Sequence, residues 1–229
     1  MTVSHVERLD LRFEPQPWPF AEQRRAEIEA HFLKAQRVNP KLWNGRVLVM
    51  RDYAISADVL HGIFFETDYA SFHAWLRWGC PPADAYDCFG AAAVRGSDGA
   101  FLLAQMAAHT ANAGRIYFPC GTPDPSDVRN GTVDFDYSTS RELLEETGLD
   151  ATEFDAEPGW TIVEKSARLV AYKVLRANAA GALLRQRVEK HLAKEVAGEL
   201  AAIHLVRSSA DLVPAMPEYV RVFLRHVWS

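Results

Sequence analysis

The period of the hydrophobic pattern switches repeatedly along the chain, and each switch predicts an element. Residues 6–13, Val-Glu-Arg-Leu-Asp-Leu-Arg-Phe, alternate and predict a strand, which Pro15, Pro17 and Pro19 end. From about Ala21 to Arg37 the spacing is helical, with Ile28, Phe32 and Leu33 as the inner stripe, and Asn39-Pro40 stops it. Arg46–Arg51 and Val59–Phe65 are β-rich and predict a hairpin; Asp68-Tyr69 opens a second helix to about Arg77, with Phe72, Trp75 and Leu76 apolar. Gly79-Cys80-Pro81-Pro82 then punctuates the chain strongly. From Tyr86 onward the strands come closer together. Cys88–Val94 and Ala100–Ala107 flank an Asp98-Gly99 turn, and Ile116-Tyr117-Phe118 is a short strand. Trp160–Ser166 and Leu169–Leu175 predict two more strands, Ala179–Val196 a helix lined by Leu183, Leu184, Val188 and Leu192, and Leu200–Val206 a last strand. Short helical pieces follow Asp211, with Tyr219, Val220, Phe223 and Leu224 packing back on the core. On this pattern alone the class is mixed α and β, without repeats or low-complexity tracts. The boundary falls at the Gly79–Pro82 break, giving residues 1–85 as an N-terminal α+β extension and 86–229 as the main domain.

Composition narrows the picture without changing it. The 229 residues are 48% hydrophobic, enough for a sizeable core. A net charge of −5 argues against a broad nucleic-acid footprint or an anionic membrane surface. No apolar run approaches the roughly 18 to 20 residues a bilayer span requires, and no secretory leader is evident after Met1. Cys80, Cys88 and Cys120 lack C-x-x-C spacing, so they are expected as free thiols in a cytoplasmic protein, without a zinc site.

The chemistry concentrates in Arg141-Glu142-Leu143-Leu144-Glu145-Glu146-Thr147-Gly148-Leu149. On a helix Glu142, Glu145 and Glu146 share one face. Three like charges so close disfavour ionisation unless a cation sits among them, and carboxylate oxygens suit Mg²⁺ or Mn²⁺. The alternative is a solvated acidic face on a surface helix. Asp134 is placed to cap the helix and Gly148 to end it in the left-handed conformation. Upstream lie Phe118-Pro119-Cys120-Gly121, five residues, and Asp127. Together these segments resemble the signature of the Nudix hydrolases: Gly, five residues, Glu, seven residues, Arg-Glu-aliphatic-any-Glu-Glu-any-Gly-aliphatic. Gly121 matches its opening and Arg141–Leu149 its whole second half. Two departures stand out. Asp127 replaces the glutamate, and thirteen residues, Val128–Ser140, precede Arg141 where seven are usual. Val128–Val133, around the turn-forming pair Asn130-Gly131, is therefore expected as a surface excursion, with the helix resuming near Asp134.

The resemblance implies an α/β fold, a Nudix-type α/β/α sandwich with a mixed sheet. It implies a Mg²⁺- or Mn²⁺-dependent hydrolase that cleaves the pyrophosphate of a nucleoside diphosphate linked to another group. The long N-terminal extension is loosely similar to larger members acting on nucleotide sugars, so a nucleotide sugar or an ADP-ribose-like compound comes first among small-molecule substrates. The alternative is a Nudix-fold nucleotide-binding or regulatory protein with little catalysis. Glu142, Glu145 and Glu146 would bind metal, and one glutamate, from the helix or a later loop, would be the base. Arg141 would orient a glutamate, Gly121 would allow the loop to bend against the helix, and Asp127 and Gly148 would support them. Glu195 and Glu199 sit where some members carry a further acid. Tyr86, Tyr117 and Trp160 are candidates to stack on a base, Arg115 to meet phosphate, and His109 and His191 are the histidines near these segments. Residues 1–85 could also build a homodimer interface.

Overall fold

A computed structural model describes residues 1–195 and 198–229. Among them thirteen strands and six helices succeed one another: β1 (Thr2–Val6), β2 (Arg8–Phe13), α1 (Pro19–Gln23), α2 (Arg25–Val38), β3 (Arg46–Ser56), β4 (Val59–Asp68), α3 (Tyr69–Arg77), β5 (Asp87–Arg95), β6 (Phe101–Met106), β7 (Ile116–Tyr117), β8 (Val128–Arg129), β9 (Thr132–Val133), α4 (Phe135–Thr147), β10 (Asp155–Ala156), β11 (Trp160–Lys165), β12 (Arg168–Arg176), α5 (Gly181–Leu192), β13 (Leu200–Val206) and α6 (Glu218–Val227).

The larger sheet runs β1-β11-β12-β5-β6-β13, with β10 beside β12 and β7 beside β6. It is mixed: β5 and β12 are parallel and the other pairs antiparallel. Helices cover both faces because side chains alternate along each strand. Phe89 of β5 meets Tyr219 of α6, whereas its neighbour Gly90 faces Phe135 and Thr139 of α4. Tyr172 of β12 stacks on Phe223 of α6 at 4.0 Å, and Val188 of α5 packs with Leu143 of α4 on the opposite face. This is the expected α/β/α sandwich.

The smaller sheet, β3-β4-β2-β9-β8, carries the N-terminal helices on one face. Val47 and Val49 of β3 pack with Ile28, Phe32 and Trp75 there; Leu48 and Met50, one residue out of phase, point into a second cluster with Cys88, Trp160 and Ile162 of the main sheet. The Gly79–Pro82 break falls between α3 and β5, and both sheets draw strands from either side of it: β1 edges the main sheet and β9 joins the N-terminal one.

Several expectations are corrected. The strand expected over 6–13 is two strands in different sheets. Val6 ends β1 against Trp160, and β2 begins at Arg8 beside Val59. The helix expected over 21–37 breaks into α1 and α2 at Arg24, and Leu33 is 58% exposed, leaving Ile28 and Phe32 as the buried stripe. The excursion 128–133 is no free bulge. It is the hairpin β8–β9, turned by Asn130 and Gly131 at positive φ and docked on β2 through Phe13 N–H to Gly131 O at 2.9 Å. Val133 is therefore buried. The expected end of the last long helix, Val196, lies outside the described residues; α5 is assigned to Leu192.

Candidate functional site

The helix α4 begins and ends where its residues dictate. Asp134 caps it, accepting from Tyr137 N–H at 2.9 Å, and Gly148 ends it at φ 68° with its N–H on Leu144 O at 2.8 Å. The hairpin absorbs the extra residues and then hands the chain back in register, because Asp134 N–H bonds Asp127 O at 2.9 Å. Leu143 and Thr147 are buried against the core, which turns Glu142 and Glu146, one helical turn apart, along the edge facing the Cys120-Gly121 loop.

Asp127 is wholly buried and is the hub under this helix. Its carboxylate accepts from Asp124 N–H and from Ser138 Oγ, both at 3.0 Å, and from Arg141 Nε and Nη2 at 3.1 to 3.3 Å. Arg141 in turn lies 2.9 Å from Glu142 Oε1 and 3.1 Å from Glu145 Oε2. The short aspartate thus serves the arginine and the helix, and Arg141 pairs with Glu142 and Glu145.

The three glutamates do not share one environment. Glu145 is 60% exposed and bound to Arg141, whereas Glu142 is 16% exposed. A Cβ on Gly121 would overlap the Glu142 carboxylate, so the glycine is what lets the loop approach this closely. Glu146 lies near the Cys120 N–H, which favours its charged form, yet its Oε2 is buried and has no hydrogen-bond partner. Burial pushes Glu146 well above the usual carboxylate range, and the charges of Glu142 and Glu199 add to this. Burial also raises Glu142 to about 7, with Arg141 opposing and Glu145 reinforcing. Among the described residues no three His, Cys, Asp or Glu side chains are already gathered at metal-holding spacing. Glu142 and Glu146 are desolvated, hard oxygen donors, one with an orphaned atom. The chemistry of that donor set suits Mg²⁺ or Mn²⁺.

Glu142 rises from an ordinary 4.5 to about 7, so the fold prefers it protonated. The stability it contributes is complete below pH 4.5 and lost as pH rises through 7, at a cost of about 3 kcal/mol. In chelator, the melting temperature should fall between pH 5 and 8, and Glu142→Gln should flatten that slope. An identical slope in both proteins contradicts this reading.

Beside the site, a cleft of about 680 Å³ opens between α3, the Cys120-Gly121 loop and α6; Arg115 and Tyr117 line it. Trp160 and Tyr86 do not: Trp160 is buried in the cluster between the sheets, and Tyr86 packs edge-on against Tyr53 at 4.9 Å. Glu199 is close enough to Glu146 to raise it, while Glu195 lies 3.3 Å from His191 Nε2. His109 is exposed, and its carbonyl accepts from Asn39 Nδ2. The pattern along the chain missed Arg77 of α3 and the Asp87–Arg168 pair, which also line the cleft. No local motif marks them, because long-range pairing alone brings them to Gly121. A second cleft of about 510 Å³ around Trp18 and Arg24 is lined by none of the motif's residues.

No protein-family model matches the chain, and no curated protein matches it. Solved structures similar to it include the MutT protein from Methanosarcina mazei Go1, at 20% identity over 62% of this chain and 91% of that one, with a TM-score of 0.38. A Nudix hydrolase from M. smegmatis, RenU, is 16% identical over 61% and 84%, with a TM-score of 0.38. The Nudix domain of Shewanella oneidensis NrtR, solved with ADP ribose, is 12% identical over 69% and 98%, with a TM-score of 0.43.

Proposed function

We propose that this chain is a Mg²⁺- or Mn²⁺-dependent hydrolase that cleaves the pyrophosphate bond of a nucleoside diphosphate linked to another group. The observation that carries the reading is the pair Glu142 and Glu146, desolvated against the Gly121 loop within a complete Arg141–Leu149 motif. Glu142 and Glu146 would hold the cation, with Glu145 able to join them by leaving Arg141. A bound divalent ion neutralises phosphate charge and lowers the pKa of an attacking water. The chain's own share is placement: Asp127 holds Arg141, and Arg141 pairs with Glu142. Glu199 stands nearest among the later acids as a base candidate, since its charge acts on Glu146.

Nucleotide sugars and ADP-ribose-like compounds come first in a substrate panel, then coenzyme A and dinucleotides. With Mg²⁺ or Mn²⁺, one of them should release a nucleoside monophosphate, and chelator should stop the release. A panel with no turnover under either ion would end the proposal. A second reading, a nucleotide-binding or regulatory protein with little catalysis, is favoured by one observation: Glu145 is 60% exposed and engaged with Arg141. Tight nucleotide binding without turnover under any divalent ion would select it. Among the described residues no helix is long and apolar enough to cross a membrane.

A further inference from the structure

The cleft beside Gly121 carries an imbalance of charge. Its carboxylates are already neutralised: Asp87 is held by Arg168 at 2.6 Å, and Glu218 is paired with Lys165. Two further guanidinium groups line it, Arg77 at the end of α3 and Arg115 just before β7, and among the described residues neither forms a salt bridge. Two uncompensated guanidinium groups in one concavity repel each other, and their field is focused there for an anion.

One loop, residues 107–115, joins them. Arg77 Nη2 donates to Ala111 O at 3.2 Å, and Arg115 ends the same loop, its backbone N–H closing a turn on Asn112 O at 3.0 Å. Asn39 Nδ2 ties the same loop to the end of α2 through His109 O at 2.9 Å. The N-terminal unit therefore anchors the loop at two points and contributes one of the two charges. Both are left with N–H groups to spare after these contacts, and the planar fork of each matches phosphate oxygens.

We infer that Arg77 and Arg115 form a two-pronged clamp for the diphosphate of the substrate, which makes the N-terminal extension half of the substrate site. The inference deepens the proposed hydrolase reading and rests on it for the word substrate, but the clamp binds without a metal and without turnover. That separates the two. The full chain is titrated calorimetrically in chelator with ADP, with inorganic pyrophosphate and with adenosine. Wild type should bind ADP and pyrophosphate and neglect adenosine. Arg77→Gln and Arg115→Gln should each weaken ADP binding roughly tenfold, and the double variant roughly a hundredfold. The double variant's affinity should also depend less on salt. Arg77→Gln keeps an amide that can reach the Ala111 carbonyl, so it tests the charge and not the loop tether. Arg225→Gln, an exposed arginine outside the cleft, should bind as wild type does. Binding of ADP alone, with pyrophosphate neglected, confines the clamp to nucleoside diphosphates and supports it only if the arginine variants still lose affinity. Unchanged binding by the double variant, an equal loss in Arg225→Gln, tight binding of adenosine, or no binding of either diphosphate by wild type would each overturn the clamp. A chain that binds diphosphate through these arginines and hydrolyses nothing would overturn the hydrolase reading and leave the clamp standing.

Discussion

Glu146→Gln should lower turnover of a hydrolysable nucleotide by about 10³-fold and, in chelator, raise the melting temperature. The two effects have one cause. The Glu146 carboxylate is held out of water with Oε2 unpartnered, beside the charge of Glu142 and within reach of that of Glu199. A carboxylate in that position is costly to the fold and useful only to a cation. The amide has nearly the same shape and no charge, so it removes the repulsion with Glu142 and most of the desolvation penalty, about 1 to 3 kcal/mol. For a chain of this length that is about 2 to 10 °C. Adding Mg²⁺ or Mn²⁺ should then stabilise wild type by mass action and leave the variant where it was. Thermal melts with and without metal, paired with turnover under saturating metal, check both halves. Wild-type turnover in the variant would show that Glu146 is not a ligand that matters. A lower melting temperature in chelator would show that its carboxylate is satisfied by something else. The opposed signs also set the result apart from a mutation that merely damages the fold, which lowers both.

How far the site could be read along the chain follows from which of its contacts are local. The motif helix is local: Asp134, Gly148 and the spacing of Leu143 and Thr147 set its ends and its buried face, and all of that is written within fifteen residues of Arg141. The gross fold was legible for the same reason, since the β-rich stretches became β3, β4, β5, β6, β11, β12 and β13. The asymmetry among the glutamates was not. Helical geometry puts Glu142, Glu145 and Glu146 on one face, but which of them the Gly121 loop covers is decided by β5 and β7 packing beneath it. The hairpin was half legible: Asn130-Gly131 announced a turn, while its docking on β2 depends on a strand more than a hundred residues earlier. The same holds for Arg77. The last turn of α3 gives no hint that it borders a cleft shared with Gly121, because the smaller sheet brings it there. Leu33 failed for the converse reason: its place on the helical stripe is sound, but α2 has nothing packed on that side.

Asp127→Ala should be the most destabilising single change in the motif, at about 3 to 5 kcal/mol, with activity falling alongside. Asp127 is fully buried and satisfies Asp124 N–H, Ser138 Oγ and two nitrogens of Arg141 at once. Alanine leaves all of those donors without their acceptor and leaves the arginine, 17% exposed, with its remaining partners Glu142 and Glu145. The guanidinium would then be drawn toward Glu142, the carboxylate that the proposed reaction needs free. Asp127→Asn separates the two losses. It keeps an acceptor for Asp124 N–H and Ser138 Oγ but not the charge, so it should fold with a smaller loss, about 1 to 3 kcal/mol, while the orientation of Arg141 suffers. Asp127→Glu restores the residue of the general signature, yet here it adds a methylene where no space is exposed, and overpacking should cost about 1 to 3 kcal/mol. Urea melts of the three variants should rank alanine lowest. If the glutamate variant proved more stable than wild type, the shorter side chain would not be what fits this helix to its hairpin. If alanine melted like wild type, Arg141 would have to be anchored by the glutamates alone, and the chain of contacts from Asp127 to Glu142 would not be what holds the carboxylates in place.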